Sequence, residues 1–412
     1  MKMKKHFSLL LVLIATLFSC TDDENSDKYA DFLVAKPLKI SLSEFENSGD
    51  IIAPKPIEES GKIYAYNNYI FINDKYKGVH VIDNKNPESP IKIAFIKIAG
   101  NVDISVKDNY LYADSLGDLL VFNIANKDNI KLVNRLKNVL KENIIWPLAD
   151  IYEWDNATTD DEVLVGWQVV TERRLKEEVQ LMFEDVAVNN ATGDRSVGQG
   201  GSLARFKIVE DYLYAVDNHN INVFNIKNLE NPVDLEDVYA GFDIETIFNR
   251  DNHLFLGSKS GMYIYDITNP ETPTFVSEFQ HGTACDPVVV DGDYAYVTLR
   301  GGNTCGATES GLYIVDISTI ADPVLAKQYP LDGPYGLGIK GNTLFICDGE
   351  SGLKVYDKTD VNNLKEINHF KDIVTFDVIP REDNLLMVGD NTLYQYKYLE
   401  NNISLLSSLN LD

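Results

Sequence analysis

The chain has 412 residues, a formal net charge of −26 at neutral pH and a hydrophobic content of 44%. That length and hydrophobic content predict a folded protein with a substantial core. The excess of acidic residues argues against nucleic acid as a partner, because its phosphates would be repelled, and favours a well-hydrated surface.

The chain begins with a short targeting segment. Lysines stand at positions 2, 4 and 5, and an apolar run follows over residues 9–18. That run is too short to span a bilayer as a helix of the mature protein. It leads into Leu-Phe-Ser-Cys at residues 17–20, which resembles a bacterial lipobox. The resemblance implies a signal peptide over residues 1–19 and lipidation, with palmitate, at Cys20. An ordinary secretory signal with a chance cysteine is the alternative.

A polar stretch over residues 20–34 predicts a flexible, lipidated tether. Its acidic start, residues 21–24, is similar to the surface-export signal of Bacteroidota lipoproteins. That similarity implies an outer-membrane lipoprotein exposed at the cell surface, whereas charge patterning alone is equally consistent with a solvated tether. We expect the remainder, residues 35–412, to form a single domain.

A short strand motif recurs seven times along this remainder. Its clearest copy is Leu-Tyr-Ile-Val-Asp at residues 312–316, and the copies end at positions 83, 123, 225, 266, 316, 357 and 397. Around the clearest copy, residues 287–329 contain four β-rich runs separated by Gly, Pro, Asn and Asp, which predicts a four-stranded antiparallel unit. Most copies are about 40 residues apart, a spacing typical of β-propeller blades.

These copies resemble the LVIVD-repeat family, from whose five-letter name residues 312–316 differ at one position. The resemblance covers about residues 60–400 and implies a propeller in a lipoprotein without an assigned role. The period and the resemblance together predict an all-β fold, a seven-bladed β-propeller of four-stranded antiparallel blades. The copies ending at positions 123, 225 and 397 depart from the motif. Residues 37–42, an expected outer strand ahead of the first unit, and residues 403–406 are two candidates for the strand that closes the ring.

A long insertion, residues 140–201, follows the second unit. It contains all three tryptophans, Trp146, Trp154 and Trp167, and residues 163–170 alternate like a strand. One hypothesis is a hairpin that packs on the ring with the indoles as a small core. A degraded eighth blade is another. The third is a ligand-contacting lid, because long loops on a rigid scaffold often carry function.

Blade geometry places two enlarged loops at one mouth of the predicted channel. The insertion leads into the first strand of the third unit, and residues 300–310 join the second and third strands of the fifth unit. Both kinds of connection emerge on the same face of an antiparallel blade. We therefore take this mouth as the candidate binding site.

Charged residues occupy first-strand positions near this mouth, namely Asp103, Arg205, Glu245 and Asp286. With the three tryptophans they are the candidate ligand-binding residues, because an acidic rim with one arginine could hold a cation or a polar ligand. Solvated charges at a wet channel entrance are the alternative. No two histidines stand at metal-ligand spacing, and neither a nucleophile elbow nor a phosphate loop is present. We therefore predict no metal, no cofactor and no catalytic residue.

The cysteines fit an exported protein. Cys285 opens the first strand of the fifth unit and Cys305 lies in its enlarged loop, so both should lie at the same mouth. An oxidising compartment then favours a Cys285–Cys305 disulfide. Cys347 lies in an apolar run and is interpreted as a small buried residue.

These features favour a cell-envelope lipoprotein whose propeller is a binding scaffold for a protein, peptide or glycan at one channel mouth. A propeller hydrolase or lyase that uses channel carboxylates is one alternative, and a structural component of an envelope complex is another. The expected partners are the membrane, through the lipid anchor, and an envelope protein or glycan. The ring itself is expected to be monomeric.

Replacing Cys20 by alanine tests the anchor. Because acyl chains would supply most of the binding energy to the bilayer, Cys20→Ala should move the protein from the membrane fraction to the soluble fraction. Cell fractionation and immunoblotting measure the shift, with Ser26→Ala in the tether as the matched control. An unchanged membrane-bound share of the Cys20→Ala protein would contradict lipid anchoring at this residue.

Overall fold

The computed structural model describes residues 28–141, 147, 149–153, 161–177, 202–282, 287–301, 309–400 and 402–412. Strands dominate these residues. A single turn of helix, Leu42–Glu46, begins after Ser41, whose hydroxyl accepts a hydrogen bond from the Glu44 amide. Among the residues described, no helix has the length and apolar character needed to cross a membrane.

In the part of the chain that the structure describes, seven antiparallel sheets follow one another, each built from four consecutive strands. We number the sheets, and the strands within each sheet, in chain order. The first sheet gains an additional short strand, Ile51–Ile52, which pairs with its fourth strand. The fourth strand of the third sheet is broken into two short pieces. The predicted four-stranded antiparallel unit is therefore confirmed.

The strands of the first sheet are Ser60–Tyr66, Tyr69–Asp74, Gly78–Asp83 and Ile91–Lys97. Those of the second are Ile104–Lys107, Tyr110–Ser115, Asp118–Asn123 and Lys131–Leu136. Those of the third are Phe206–Val209, Tyr212–Val216, Asn220–Asn225 and the pieces Val233–Asp234 and Val238–Tyr239. Those of the fourth are Ile244–Arg250, His253–Ser258, Gly261–Asp266 and Thr274–Gln280.

The strands of the fifth sheet are Val288–Asp291, Tyr294–Leu299, Gly311–Asp316 and Val324–Pro330. Those of the sixth are Leu337–Lys340, Thr343–Cys347, Leu353–Asp357 and Lys365–Phe370. Those of the seventh are Asp377–Pro380, Asn384–Gly389, Thr392–Leu399 and Asn402–Asn410.

Each copy of the repeated motif forms the third strand of one sheet. The side-chain oxygen at the end of six copies accepts a hydrogen bond from the backbone amide two residues later, as in Asp316 with Ser318 at 2.9 Å. Such bonds turn the chain towards the fourth strand, which explains why the motif ends in Asp or Asn. The seventh copy has Lys397 at this position, and there the strand continues to Leu399.

Apolar side chains of neighbouring sheets meet in seven buried clusters. Six clusters join consecutive sheets, and the seventh joins the last sheet to the first. This seventh group, the seam cluster, includes Ile63, Ile70, Ile72, Ile82, Leu386, Val388, Leu393 and Leu411. The first strands of neighbouring sheets also contact each other, including Asp377–Pro380 with Ser60–Tyr66. Each sheet therefore buries its faces against other sheets.

Polar contacts reinforce the seam. The Lys92 ammonium donates to the Leu411 carbonyl at 2.7 Å. The buried side-chain amides of Asn84 and Gln395 exchange hydrogen bonds of 3.1 and 2.7 Å. Each side-chain amide is thus hydrogen-bonded to the other, which offsets the cost of burying two polar groups.

The two candidate closing strands have different positions. Residues 403–406 lie within Asn402–Asn410, the fourth strand of the seventh sheet. Residues 37–42 instead form the end of another strand, Tyr29–Ser41, and the first residue of the helix. The interpretation of residues 37–42 as an outer strand ahead of the first unit is therefore wrong.

Tyr29–Ser41 belongs to a separate three-stranded sheet, in the order Ile151–Tyr152, Tyr29–Ser41, Glu162–Leu175. It begins within the stretch predicted as a tether. The strand Glu162–Leu175 confirms the alternating pattern of residues 163–170 inside the insertion. The insertion thus contributes two strands of its own to the fold.

Contacts divide the chain into two compact units. The described residues of the smaller unit are 28–36, 149–153 and 169–177. Within it, Val34 pairs with Ile151 in parallel register and both side chains are buried. Glu172 accepts bonds from Lys36 at 2.5 Å and from Arg174 at 2.6 Å. A small apolar contact and a surface ion network thus define this unit, whereas the seven sheets belong to the larger one.

The seam cluster can be tested with a matched pair of leucines. Leu393 is fully buried in the cluster, whereas Leu405 on the last strand is 54% exposed. Leu393→Ala should lower the free energy of unfolding by about 2–5 kcal/mol, because it removes buried methyl groups and leaves a cavity. Leu405→Ala should change it by about 0.5 kcal/mol or less. Denaturant titration measures both, and equal effects would contradict a structural role for the seam.

Candidate functional site

Turns that join second and third strands lie at the same edge of the sheets as the loops that lead into first strands, because adjacent strands run in opposite directions. Hydrogen bonds connect the two kinds of segment. The Gly100 amide donates to the Tyr76 carbonyl at 2.8 Å, and the Ala240 amide donates to the His219 carbonyl at 2.7 Å. We call this edge the turn face, and it is the face on which the sequence predicted ligand binding.

A cavity of about 370 Å³ opens on the turn face beside the insertion. Its walls come from the turns of the first two sheets and from residues 164–167 of the insertion strand. The side chains are mainly apolar, with Asn138 and Lys141 as polar members. The lining residues are Tyr76, Gly100, Val102, Leu116, Gly117, Asn138, Leu140, Lys141, Leu164, Val165, Gly166 and Trp167.

Glycines allow the insertion strand to approach the turns closely. A Cβ atom on Gly166 would lie 2.2 Å from the Tyr76 ring, so any side chain there would collide with the tyrosine. Gly100 has a φ of +71°, and a Cβ on it would lie 2.7 Å from the Leu116 side chain. The wall of the cavity is therefore formed by direct contact between the insertion strand and the turns.

Trp167 is the predicted indole that the structure describes, and it is only 2% exposed. It packs in the wall of the cavity, which favours the packing interpretation for this residue. Trp146 and Trp154 lie outside the described residues, so their role as binding candidates stays a prediction. The lid hypothesis thus depends on the cavity itself and on these two indoles.

Asp103 is buried at 2% exposure and does not lie at a wet rim. Its Oδ2 accepts a hydrogen bond from the Phe206 amide at 3.1 Å and another from the Arg205 amide. The Lys62 ammonium donates to the same oxygen at 3.2 Å. Its Oδ1 accepts from the Ile104 amide at 2.7 Å. This carboxylate therefore joins the first three sheets, which is a structural role.

Arg205 and Glu245 have different surroundings. Arg205 is 6% exposed, and its Nε donates to the Val216 carbonyl at 3.2 Å. The structure thus places the Asp103 carboxylate at the backbone amide of Arg205. Glu245 is half-buried on the first strand of the fourth sheet. Two of the three described rim candidates are consequently interior groups.

Sequence reasoning missed further buried ionisable residues, among them Asp377 and Lys62. Burial raises the pKa of Asp377 well above its ordinary value, although the Val378 amide and the Lys62 ammonium act in the opposite direction. Burial lowers the pKa of Lys62, and Asp103 opposes that shift. Asp377 lies opposite Val388, the fifth residue of the second strand of the seventh sheet. Arg205 has the same position in the third sheet, where its carbonyl accepts a hydrogen bond from Val216, the fifth residue of the second strand. Aligning the repeats by this register could have revealed Asp377.

The remaining predicted residues divide between described and undescribed parts of the chain. Asp286, Cys285 and Cys305 lie outside the described residues, so the disulfide and the aspartate stay predictions. Cys347 is a free, fully buried cysteine, and burial raises the pKa of its thiol well above the ordinary value. The interpretation of Cys347 as a small buried residue is confirmed.

The turn face also carries an exposed aromatic patch, formed by His219, Tyr239 and Phe242. Phe242 is 67% exposed and Tyr239 is 59% exposed. The Phe242 ring lies edge-to-face with both neighbours, at centroid distances of 5.3 Å from His219 and 6.0 Å from Tyr239. The patch follows the broken fourth strand of the third sheet, and the sequence analysis did not identify it.

Across the described ranges, no group of three or more His, Cys, Asp or Glu side chains is placed to hold a metal ion. The chemistry visible there is burial of charge near the first strands and exposure of aromatic side chains at the turns. That combination suits recognition of a partner through the turn face.

The LVIVD repeat pattern matches three segments, residues 59–94, 99–137 and 281–330. The chain carries LVIVD repeats. The matched segments contain the motif copies that end at positions 83, 123 and 316. No curated protein sequence matches this chain.

Solved structures with a similar fold share little sequence with this chain. Sqt1 of Saccharomyces cerevisiae is 11% identical, with 89% of this chain and 91% of Sqt1 covered, at a TM-score of 0.53. The computationally designed protein Ika8 is also 11% identical, with 88% and 91% covered, at a TM-score of 0.50. At such identities the likeness concerns the fold alone, which is all-β and propeller-like.

Replacing Asp377 by asparagine tests the buried carboxyl. Since folding raises its pKa above the unfolded value of about 4, the native state binds the extra proton, and stability should fall as the pH rises from that value. Asp377→Asn should lose this dependence, so its stability relative to wild type should increase with pH. Denaturant titrations across the pH range measure it, with the exposed Asp383→Asn as control. Parallel pH profiles for wild type and Asp377→Asn would contradict the shift.

Proposed function

We propose that this chain is a cell-envelope lipoprotein whose seven sheets are the blades of one β-propeller, and that the propeller binds a partner molecule at its turn face. Several observations support the ring. The first strands contact their neighbours in succession, and the seam cluster links the seventh sheet to the first. Sqt1 provides a propeller-like precedent for the fold.

The observation that carries the binding role is the cavity beside the insertion. Its volume of about 370 Å³ falls in the range of ligand pockets, and its walls are mainly apolar with a few polar groups. The walls combine turns of two sheets with an inserted strand, so the sheets supply a rigid base and the insertion supplies specificity. A side chain of a protein or peptide, or a sugar unit of a glycan, would enter the cavity between the sheet turns and the inserted strand.

The anchor rests on the sequence around Cys20. Lipidation there would hold the protein at the outer membrane, and the acidic residues 22–24 favour display at the cell surface. An anchored ring would then present a binding face to partners in the envelope. The proposed partners are accordingly an envelope protein or a glycan.

The environment of Asp103 argues against catalysis by channel carboxylates. Its two oxygens accept hydrogen bonds from three backbone amides and from Lys62. A carboxylate held in this way is a poor general base, because proton transfer would break bonds that join three sheets. Binding without turnover is therefore the favoured function.

Filling the cavity tests the binding role. Leu164→Trp places a large side chain in the cavity and should abolish retention of the ligand by the full-length protein in pull-downs from solubilised envelopes. Val169→Trp, at a 37% exposed position of the same strand, should retain it. Mass spectrometry of the captured material identifies the ligand, and its recovery unchanged after incubation indicates binding without turnover.

The thermal transition of each variant serves as the folding control. Both tryptophan variants should unfold near the wild-type temperature. Equal capture by all three proteins would contradict the cavity as the binding site, and consumption of the ligand would favour the enzyme alternative.

A further inference from the structure

Two large aromatic side chains are exposed together on the turn face. Phe242 and Tyr239 leave more than half of their surfaces in water and pack edge-to-face with each other. Other exposed apolar residues lie on outer strands, as Phe275 does, whose ring packs against the buried Tyr265. Two exposed aromatic rings that pack against each other at the turn face are different, because aromatic residues are enriched where partners bind.

Hydrogen bonds position the backbone that carries the patch. The His219 and Asn220 amides each donate to the buried Asp217 carboxylate at 2.8 Å. The His219 Nδ1 lies 3.1 Å from the Gly241 carbonyl oxygen. Gly241 has a φ of +123°, a backbone conformation that favours glycine. A preorganised surface loses little entropy on binding, so the aromatic area is available for affinity.

The chain around the patch is acidic. Residues 234–245 contain Asp234, Glu236, Asp237, Asp243 and Glu245, and no lysine or arginine. Partial burial and the nearby Asp237 charge raise the pKa of Asp234. Lys141 lies 3.6 Å from Asp237 and Lys259 lies 3.6 Å from Asp243, which offsets only part of this charge. The patch is therefore apolar at its centre and negative around it.

We propose that the aromatic patch is a docking surface for a basic, partly apolar peptide segment of a partner protein. Arginine or lysine side chains of that segment pair with the surrounding carboxylates, and guanidinium groups stack on the rings of Phe242 and Tyr239. Apolar side chains cover the remaining aromatic area. Charge complementarity selects this occupant and sets its orientation.

The same charges disfavour other occupants. Anionic lipid headgroups and nucleic acid phosphates are repelled by the acidic surround. A second copy of the chain would meet this surface with the same surface in a two-fold dimer, which places like charges opposite each other. A basic peptide is the partner whose charge matches.

The aromatic patch and the proposed ligand cavity share no side chain, because His219, Tyr239 and Phe242 are absent from the cavity lining. The two sites touch at one point, since Lys141 lines the cavity and lies 3.6 Å from Asp237 beside the patch. Neither Leu164→Trp nor Phe242→Ala alters that pair, so each substitution tests one proposal without the other.

A pair of synthetic peptides tests the proposal with the full-length, detergent-solubilised protein. One peptide alternates Arg with Leu, and the matched control alternates Glu with Leu. Fluorescence anisotropy should show binding of the Arg–Leu peptide and none of the Glu–Leu peptide. Added salt should weaken the binding, because screening reduces attraction between opposite charges.

Matched phenylalanine variants locate the site. Phe242→Ala should weaken binding of the Arg–Leu peptide by about tenfold or more. Phe275→Ala, which removes a ring that is 55% exposed on an outer strand, should leave the Kd within about twofold of wild type. Asp243→Asn should weaken binding and reduce its salt dependence.

Three outcomes would overturn the proposal. Equal losses in Phe242→Ala and Phe275→Ala would indicate diffuse attraction to an acidic protein. Comparable binding of the Glu–Leu peptide would show that charge does not select the partner. Self-association of the wild-type protein that is abolished by Phe242→Ala, measured by analytical ultracentrifugation, would assign the patch to a second copy of this chain.

Discussion

Each of the seven sheets is apolar on both faces, and this constraint governs the rest of the structure. A four-stranded sheet cannot cover two faces by itself, so every described sheet shares apolar clusters with a sheet on either side. The interior side chains are thereby committed to packing. The connections at the turn face are freer to differ from repeat to repeat, because they take no part in this packing.

The sequence predicted the repeated part of the fold well because the responsible signals are local. Alternation over a few residues produces each third strand, and an Asp or Asn side chain two residues before an amide turns the chain. Both signals recur from repeat to repeat, so a strand with a weak motif can be recognised from its distance to the other copies. The exception at Lys397 and the strand Tyr29–Ser41 lie at the ends, where the period no longer constrains the interpretation.

The site was less predictable for a physical reason. Asp103 could be placed at the start of a first strand, but its partners, Lys62 and the Phe206 amide, are distant in the sequence and adjacent only after folding. A charge seen without its partners looks solvent-exposed. The exposure of Phe242 was also missed, because the sequence alone does not reveal whether folding covers an aromatic residue.

The seam has a consequence for how the protein is made. Leu411 follows the last strand of the seventh sheet and is fully buried in the seam cluster, and its carbonyl accepts a hydrogen bond from the Ile57 amide at 2.9 Å. The first sheet is synthesised first, but the apolar face that it contributes to the seam is covered only after the seventh sheet has been synthesised. During that interval the uncovered face is vulnerable to proteases and to aggregation.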